Sequence, residues 1–201
     1  MLITFEGIDG CGKSTQIELL KSWLKDRDYS FRIFREPGGV ELSEQIRTLL
    51  LESKQEMDPV TELLLFSAAR SQLIAEKVVP LLEQDVLVIL DRFFDSTTAY
   101  QGYGRESASI DQIRILNRLA GHHLNPDVTF YLKINYEEAR KRTEGADKDR
   151  MERSGELFFK KVIDGFDQLA RTHSRIYTLD ASQQPNEIHR EILDVLLLHL
   201  S

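Results

Sequence analysis

One short stretch carries the residue types needed to hold a triphosphate. Residues 7–14 read Gly-Ile-Asp-Gly-Cys-Gly-Lys-Ser and follow an apolar run at residues 2–5. Glycines let backbone N–H groups approach a phosphate closely, Lys13 can reach the outer phosphates, and the Ser14 hydroxyl can bind Mg²⁺. The alternative is an ordinary glycine-rich turn, which the strand pattern before the stretch and the helix pattern after it argue against. The motif therefore predicts a nucleoside triphosphate site.

A second pair of chemical residues follows another apolar run. Residues 86–90 are apolar throughout, and Asp91 and Arg92 come directly after them. A carboxylate in this position typically holds Mg²⁺ near the Ser14 hydroxyl, although a strand-end Asp can also cap a turn. Arg92 can neutralise the charge that develops as a phosphoryl group moves, and its alternative is a surface ion pair. The pair predicts phosphoryl-transfer chemistry.

The elements that must position these residues alternate between strands and helices. Strands are predicted at residues 2–5, 31–35, 86–90, 128–132 and about 175–179. Helices are predicted at residues 13–27, 41–52, 59 to the mid-70s, 109 to about 121, from 135 onward, 156–171 and 185–200. This alternation predicts an α/β fold with a doubly wound parallel sheet, whose ligands lie at the carboxyl ends of the strands.

Local signals refine the ends of these helices. Asp58 with Pro59, Ser109 with Gln112, and Asn135 with Glu138 are typical helix starts. Pro80 predicts a break or a restart of the helix. Gly102 and Gly104 predict a loop, and the charge-dense residues 142–153 predict a mobile one.

Length and composition limit the class of protein. With 201 residues, of which 41% are hydrophobic, the chain is expected to form a single domain, 1–201. A net charge of -7 argues against a broad nucleic-acid surface. One cysteine excludes an internal disulfide framework, and no apolar run is long enough to cross a membrane. We expect a cytoplasmic protein with neither nucleic acid nor a membrane as partner.

Further blocks occur along the chain in a distinctive order. They are residues 5–15, 35–39, Phe66 with Arg70 and Gln72, 91–93, 96–101, and Asp149-Arg150 with Glu152. In this order they resemble the thymidylate kinase family over nearly the whole chain. The resemblance implies ATP-dependent phosphorylation of dTMP to dTDP in dTTP biosynthesis. It also implies a P-loop nucleoside monophosphate kinase fold, with five strands, helices on both faces and a lid at about residues 142–153.

By the same resemblance, a set of residues binds the acceptor dTMP. Asp9 contacts the sugar 3′-OH, Phe66 stacks on thymine, and Arg70 pairs with the base or the monophosphate. Thr97 and Gln101 read the polar edge of thymine, and Tyr100 blocks a ribose 2′-OH. The implied dTMP set is Asp9, Glu36, Pro37, Phe66, Arg70, Arg92, Thr97, Tyr100 and Gln101.

The resemblance also implies which residues bind the phosphate donor, ATP, and which act in catalysis. The implied ATP set is Gly7, Ile8, Asp9, Gly10, Cys11, Gly12, Lys13, Ser14, Thr15 and, near adenine, Arg142. Lys13, Arg92 and the lid residues Arg150 and Arg153 are the implied catalytic cations, and Ser14 and Asp91 the implied Mg²⁺ ligands. Because Cys11 stands where eukaryotic members carry an arginine, the chain is similar to the bacterial type, in which the lid supplies that charge. A homodimer is implied as well.

Some departures and alternatives limit these expectations. Ala69 and Leu73 replace an Asp and a His that many bacterial members carry, and Val40 replaces a common Thr. A kinase for another nucleoside monophosphate or a deoxynucleoside would share residues 7–14 but not the acceptor set. A GTPase would carry an Asn-Lys-x-Asp motif, which the sequence lacks. A non-catalytic nucleotide-binding protein would be expected to have lost Lys13, Asp91 or Arg92, and all three are present.

Overall fold

A five-stranded parallel sheet forms the centre of the computed structural model, which describes residues 1–53, 55–145 and 149–200. The strands are β1 (Leu2–Glu6), β2 (Phe31–Arg35), β3 (Leu87–Asp91), β4 (Val128–Lys133) and β5 (Ile176–Asp180). Their order is β2-β3-β1-β4-β5, and every neighbouring pair is parallel. The predicted α/β class and the five strands are confirmed. β3 ends one residue later than predicted, so Asp91 is the last residue of the strand.

Helices connect the strands and cover the sheet. They are α1 (Lys13–Lys25), α2 (Glu41–Glu52), α3 (Pro59–Leu73), α4 (Val79–Leu82), α5 (Phe94–Thr97), α6 (Ile110–Ala120), α7 (Tyr136–Arg142), α8 (Glu156–Thr172) and α9 (Pro185–Leu200). Two π-helical segments, Ile74–Val78 and Thr98–Gly104, and a 3₁₀ turn, Glu152–Ser154, complete the elements that the structure describes. No membrane-spanning helix is found in the described ranges.

The core occupies both faces of the sheet. Side chains alternate along β1, so Ile3 and Phe5 pack into one apolar cluster and Leu2 into the other. All five residues of β1 are buried. A strand covered on both faces reads as a continuous apolar run, which is why the sequence pattern of β1 and β3 was informative.

The predicted helix starts are confirmed by their hydrogen bonds. Asp58 Oδ1 accepts from the N–H groups of Val60 and Thr61 at 3.0 and 3.1 Å. Ser109 and Gln112 form a reciprocal capping box. Asn135 Oδ1 accepts from the Glu138 N–H at 2.8 Å. These side chains satisfy backbone donors that have no partner inside the helix.

Of two predictions about helix interruptions, the restart at Pro80 is confirmed and the loop at Gly102 and Gly104 is wrong. α3 gives way to the π-helical segment 74–78, in which the Val79 N–H donates to Ile74 O, and α4 then begins at Val79 with Pro80 in its first turn. The wider turn accommodates a residue that lacks an N–H group. Gly102 and Gly104 lie inside a helical segment and not in a loop. A Cβ on Gly104 would lie 2.6 Å from Phe158 Cε2, so this glycine serves close packing of the segment against α8.

Candidate active site

The loop between β1 and α1 has a backbone that only glycine adopts readily. Gly7 and Gly10 have φ values of 136° and 81°. A Cβ on Gly7 would lie 2.7 Å from Leu132 O, and one on Gly10 would lie 2.6 Å from Ala139 O. Both contacts are with backbone atoms, which cannot move aside. The glycine spacing therefore fixes a tight loop that turns into the N-terminus of α1, where N–H groups favour an anion.

Lys13 is held inside this loop. Its Nζ donates to Gly7 O at 3.2 Å and to Ile8 O at 3.3 Å, and it lies 3.8 Å from Cys11 Sγ. Burial raises the pKa of the Cys11 thiol, although the charges of Lys13 and Arg92 oppose that shift. The thiol is therefore neutral and fills space in the loop, while the ammonium group is preorganised beside the phosphate-binding backbone.

A wide polar cleft of about 770 Å³ opens over the loop. Residues 9–15 of the predicted donor set and Arg142 line it, together with the loop at residues 181–185. Gly7 and Ile8 do not line the cleft, and their carbonyl groups hold Lys13 instead. The cleft lies at the carboxyl ends of the strands, as the alternation of strands and helices predicted.

Asp91 and Ser14 both line this cleft. Asp91 Oδ1 is buried and accepts no hydrogen bond from the residues that the structure describes. A buried carboxylate oxygen without a donor suits a hydrated cation. Within the described ranges there is no cluster of three or more His, Cys, Asp or Glu side chains that could hold a metal alone. The pair fits Mg²⁺, which usually keeps several waters and binds phosphate oxygens.

Arg92 is fixed between the loop and α5. Its Nη2 donates to Asp9 Oδ1 at 2.7 Å, and its Nη1 donates to Gly7 O at 2.8 Å and to Ser96 Oγ at 3.1 Å. Its backbone has a φ of 72°, which is uncommon for a residue with a side chain. Burial disfavours both charges, but the ion pair outweighs it, raising the pKa of Arg92 and lowering that of Asp9.

A buried carboxylate that the sequence did not single out supports Arg92 from below. Glu6 Oε1 accepts from the Phe93 N–H at 2.8 Å, and Glu6 Oε2 accepts from Ser96 Oγ at 2.5 Å. Burial, reinforced by the nearby charge of Asp95, raises the pKa of Glu6 to about 8. These bonds hold the backbone just after Arg92 and the hydroxyl that Arg92 contacts.

A second, narrower cavity of about 100 Å³ lies beside the cleft. All nine residues of the predicted acceptor set line it: Asp9, Glu36, Pro37, Phe66, Arg70, Arg92, Thr97, Tyr100 and Gln101. The set comes from the loop after β1, the turn after β2, α3, the turn after β3 and the helical residues that follow it. The fold therefore brings together side chains that are far apart in sequence, although their roles stay predictions.

One ion pair crosses the floor of this cavity. Arg70 Nε donates to Glu36 Oε2 at 2.7 Å, and Arg70 Nη1 donates to Asn117 Oδ1 at 3.2 Å. The side chains of Arg70 and Glu36 are 3% and 4% exposed, so water does not screen the pair. Burial raises the pKa of Glu36 despite the opposing charge of Arg70. Glu36 Oε1 is buried without a hydrogen bond among the described residues, which leaves an acceptor free for a ligand.

The two cavities share four lining residues, Asp9, Glu36, Arg47 and Arg92. Arg47 was missed in the sequence. It lies in α2 between the buried residues Ser43 and Leu50, at helical spacing, and its Nη1 donates to Pro37 O at 2.8 Å. The sequence signal that could have identified Arg47 is its place on the inner, apolar face of the predicted helix.

The predicted lid arginines occupy different places. Arg142 lines the donor cleft and pairs with Glu138 at 2.6 Å. Arg150 lies outside both cavities, where its Nη2 pairs with Glu62 Oε2 at 2.6 Å and its Nε donates to Leu50 O at 2.8 Å. Arg153 lines a separate surface cavity beside Glu62. Residues 146–148 of the predicted lid lie outside the described residues.

A parallel α/β sheet with a glycine-rich loop after its first strand, and a donor cleft that meets an acceptor cavity at a half-buried arginine, define a P-loop nucleoside monophosphate kinase. The family model for thymidylate kinase matches residues 5–192. The chain belongs to the thymidylate kinase family.

Individual relatives agree over nearly the full length. The chain is 48% identical to a thymidylate kinase of Chlorobaculum parvum, covering 98% of this chain and 95% of the relative. It is 41% identical to one of Thermoanaerobacter sp., with 98% of both chains covered. A crystal structure of thymidylate kinase from Ehrlichia chaffeensis superposes with a TM-score of 0.80 at 36% identity, also over 98% of both chains.

Proposed function

We propose that the protein transfers the γ-phosphoryl group of ATP to dTMP, forming ADP and dTDP. The observation that carries the proposal is the meeting of the two cavities at Asp9 and Arg92. A triphosphate on the loop and a monophosphate in the narrow cavity would face each other across these side chains. Since the acceptor phosphate is already ionised, the transfer needs no strong general base and no covalent intermediate.

Positioning and charge neutralisation account for catalysis in this proposal. Lys13 and Arg92 supply cations that are already held by hydrogen bonds, so little reorganisation is needed when charge develops. Asp9 orients the Arg92 guanidinium at 2.7 Å and is proposed to contact the acceptor sugar. Arg150 and Arg153 are proposed to reach the transferred group, which requires Arg150 to leave Glu62.

Ser14 and Asp91 are proposed to hold Mg²⁺. Both line the donor cleft, and the unpartnered Asp91 Oδ1 leaves room for a metal-bound water. When bound, Mg²⁺ would neutralise charge on the donor phosphates. The chain itself contributes the Asp91 carboxylate at the end of β3. Asp91 pairs in register with Phe5 of β1, which places it beside the loop.

In the acceptor cavity, Phe66 is proposed to stack on thymine and Tyr100 to exclude a ribose 2′-OH. Tyr100 is 6% exposed and packs edge-on against Phe158, Phe159 and Phe166. A ring held by three others cannot swing aside to admit an extra hydroxyl. The acceptor is therefore proposed to be a deoxynucleotide.

We also propose a homodimer. Helices α2, α3 and α6 pack side by side, and they expose large apolar side chains: Leu42, Leu49, Leu64, Ile115 and Leu119. Ile115 and Leu119 are 69% and 68% exposed. Apolar side chains gathered on adjacent helices are typical of a subunit interface. Light scattering is expected to give twice the chain mass, and Ile115→Lys with Leu119→Lys to give the single mass.

The proposed reaction is tested by coupled ADP release with ATP, Mg²⁺ and a panel of nucleoside monophosphates. We expect dTMP to give the highest kcat/KM. Omission of Mg²⁺ should abolish turnover without changing the thermal unfolding of the free protein. A higher kcat/KM for AMP, GMP or CMP than for dTMP would contradict the substrate assignment.

A further inference from the structure

Glu62 is a buried carboxylate of α3 that receives hydrogen bonds from two sides. Its side chain is 1% exposed. Glu62 Oε1 accepts from Gln101 Nε2 at 3.0 Å and from Arg105 Nε at 3.4 Å. Glu62 Oε2 pairs with Arg150 Nη2 at 2.6 Å. Both oxygens of Glu62 therefore face donor groups only, the Gln101 amide and two guanidinium groups.

This carboxylate determines the orientation of an amide in the acceptor cavity. Gln101 lines the cavity, whereas Glu62 lies behind it. An amide has one end that donates and one that accepts, and a carboxylate partner tolerates only the donating end. The NH₂ group of Gln101 is therefore turned toward Glu62, and its Oε1 is the end left for a ligand. Gln101 Oε1 accepts no hydrogen bond from the ranges that the structure describes.

We propose that Glu62 is a specificity-determining positioning residue, which turns the Gln101 amide oxygen toward the acceptor base. This rests on the proposed function, which puts the base of a nucleoside monophosphate in that cavity. An amide oxygen pairs with a pyrimidine that carries hydrogen on ring N3. Thymine and uracil do, whereas cytosine presents an acceptor at N3, which would leave two acceptors facing each other.

The replacement Glu62→Gln removes the constraint with little change in shape. A glutamine at this position can donate or accept, so the Gln101 amide can take either orientation. A binding site built for one hydrogen-bond pattern rejects the other strongly, because buried polar groups are otherwise left unpaired. We expect the ratio of kcat/KM for dTMP to that for dCMP to fall at least about tenfold. The ratio for dTMP to dUMP should stay within about twofold, since both bases carry N3–H.

Two further variants separate orientation from general support of the fold. Arg105→Gln removes another partner of Glu62 but leaves the Gln101 contact, and it should keep the dTMP to dCMP ratio within about twofold of wild type. The double variant Glu62→Gln with Gln101→Glu restores an acceptor-only group beside the base. It should recover the ratio to within about threefold of wild type. Thermal unfolding of each variant is measured alongside.

The outcomes distinguish this inference from the proposed function. A wild-type enzyme that prefers a purine acceptor overturns the proposed function and this inference with it. A wild-type enzyme that prefers dTMP, with an unchanged dTMP to dCMP ratio in Glu62→Gln, overturns the role of Glu62 alone. If Glu62→Gln does not fold, the double variant decides. A ratio near wild type then supports the orientation, and a tenfold loss contradicts it.

Discussion

The donor cleft and the acceptor cavity are built in different ways. The donor cleft has a volume of about 770 Å³, and a single continuous stretch of chain, residues 9–16, lines one part of it. The acceptor cavity has a volume of about 100 Å³ and takes its lining from separate elements of the fold. The buried ion pair between Arg70 and Glu36 is part of both the cavity floor and the protein interior. We therefore expect substitutions in the donor loop to lower activity without changing stability. Substitutions in the acceptor cavity should change both, because acceptor recognition and folding depend on the same contacts.

The largest expected effect is on the donor side. Lys13→Ala should lower kcat by about 10²–10³-fold, because it removes a preorganised cation from the developing charge. The folded state should be almost unaffected, since the described Nζ contacts all lie within the loop itself, with two carbonyl groups and the Cys11 thiol. Steady-state kinetics and thermal unfolding measure both quantities. Lys21→Ala, on the same helix in an exposed pair with Glu18, is the control and should change neither. A large loss of stability in Lys13→Ala would contradict the expected difference between the donor loop and the acceptor cavity.

On the acceptor side, Arg70→Leu should affect recognition and stability together. We expect kcat/KM for dTMP to fall at least about tenfold while KM for ATP stays near wild type. Because the change leaves Glu36 buried without its partner, the free energy of unfolding should fall by about 3–5 kcal/mol. Arg114→Leu, in an exposed pair with Asp111, is the matched control and should leave both unchanged. Wild-type stability in Arg70→Leu would contradict the structural role of the pair.

The same contrast explains what could be predicted from the sequence. The donor loop and Asp91 could be identified because each directly follows an apolar strand pattern in the sequence, so adjacent residues alone indicate the site. The acceptor set was reached only through the family resemblance, since nothing near Phe66 or Arg70 in sequence distinguishes them from core and surface residues. Arg47, Glu6 and Glu62 were missed because each acts through partners supplied by distant elements.

The glycines show a further limit of sequence patterns. The same residue type serves a turn at Gly10 and close helix packing at Gly104. Only the neighbours in space, Ala139 O in one case and Phe158 in the other, separate the two uses. The π-helical segment 74–78 before Pro80 was not predicted either, because a π-helical turn has no sequence signature of its own.

Glu6, beneath the junction of the two cavities, gives a pH dependence. Its pKa of about 8 in the folded state lies above the unfolded value of 4.5. The unfolded chain therefore loses this proton first, and the free energy of unfolding should fall as pH rises from about 4.5 to about 8. Glu6→Gln should flatten that slope in chemical denaturation. Glu44→Gln, at a carboxylate whose pKa is lowered by the Gly39 N–H, should leave the slope in place. An equally steep slope in Glu6→Gln would contradict the assignment.

The smallest expected effect comes from Gly104→Ala. The added Cβ would press the π-helical segment that carries Tyr100 and Gln101 away from Phe158, at a cost of about 1–3 kcal/mol. KM for dTMP should rise and KM for ATP should not. Combining it with Phe158→Leu removes the contacted ring, so the two changes should cost less together than their sum. If the two free-energy costs simply add, the contact between the new Cβ and Phe158 is not the cause of the destabilisation.

The central claim, that a donor cleft and an acceptor cavity meet at Arg92, can be tested by one binding measurement. The ligand is adenosine joined to thymidine through a 5′,5′-polyphosphate, titrated by calorimetry against ATP and dTMP alone. Because both ends can bind at once, we expect the tethered ligand to bind at least about 10²-fold more tightly than either nucleotide, and Arg70→Leu to remove most of that gain. A tethered ligand that binds no more tightly than ATP would show that the two cavities do not form one reaction site.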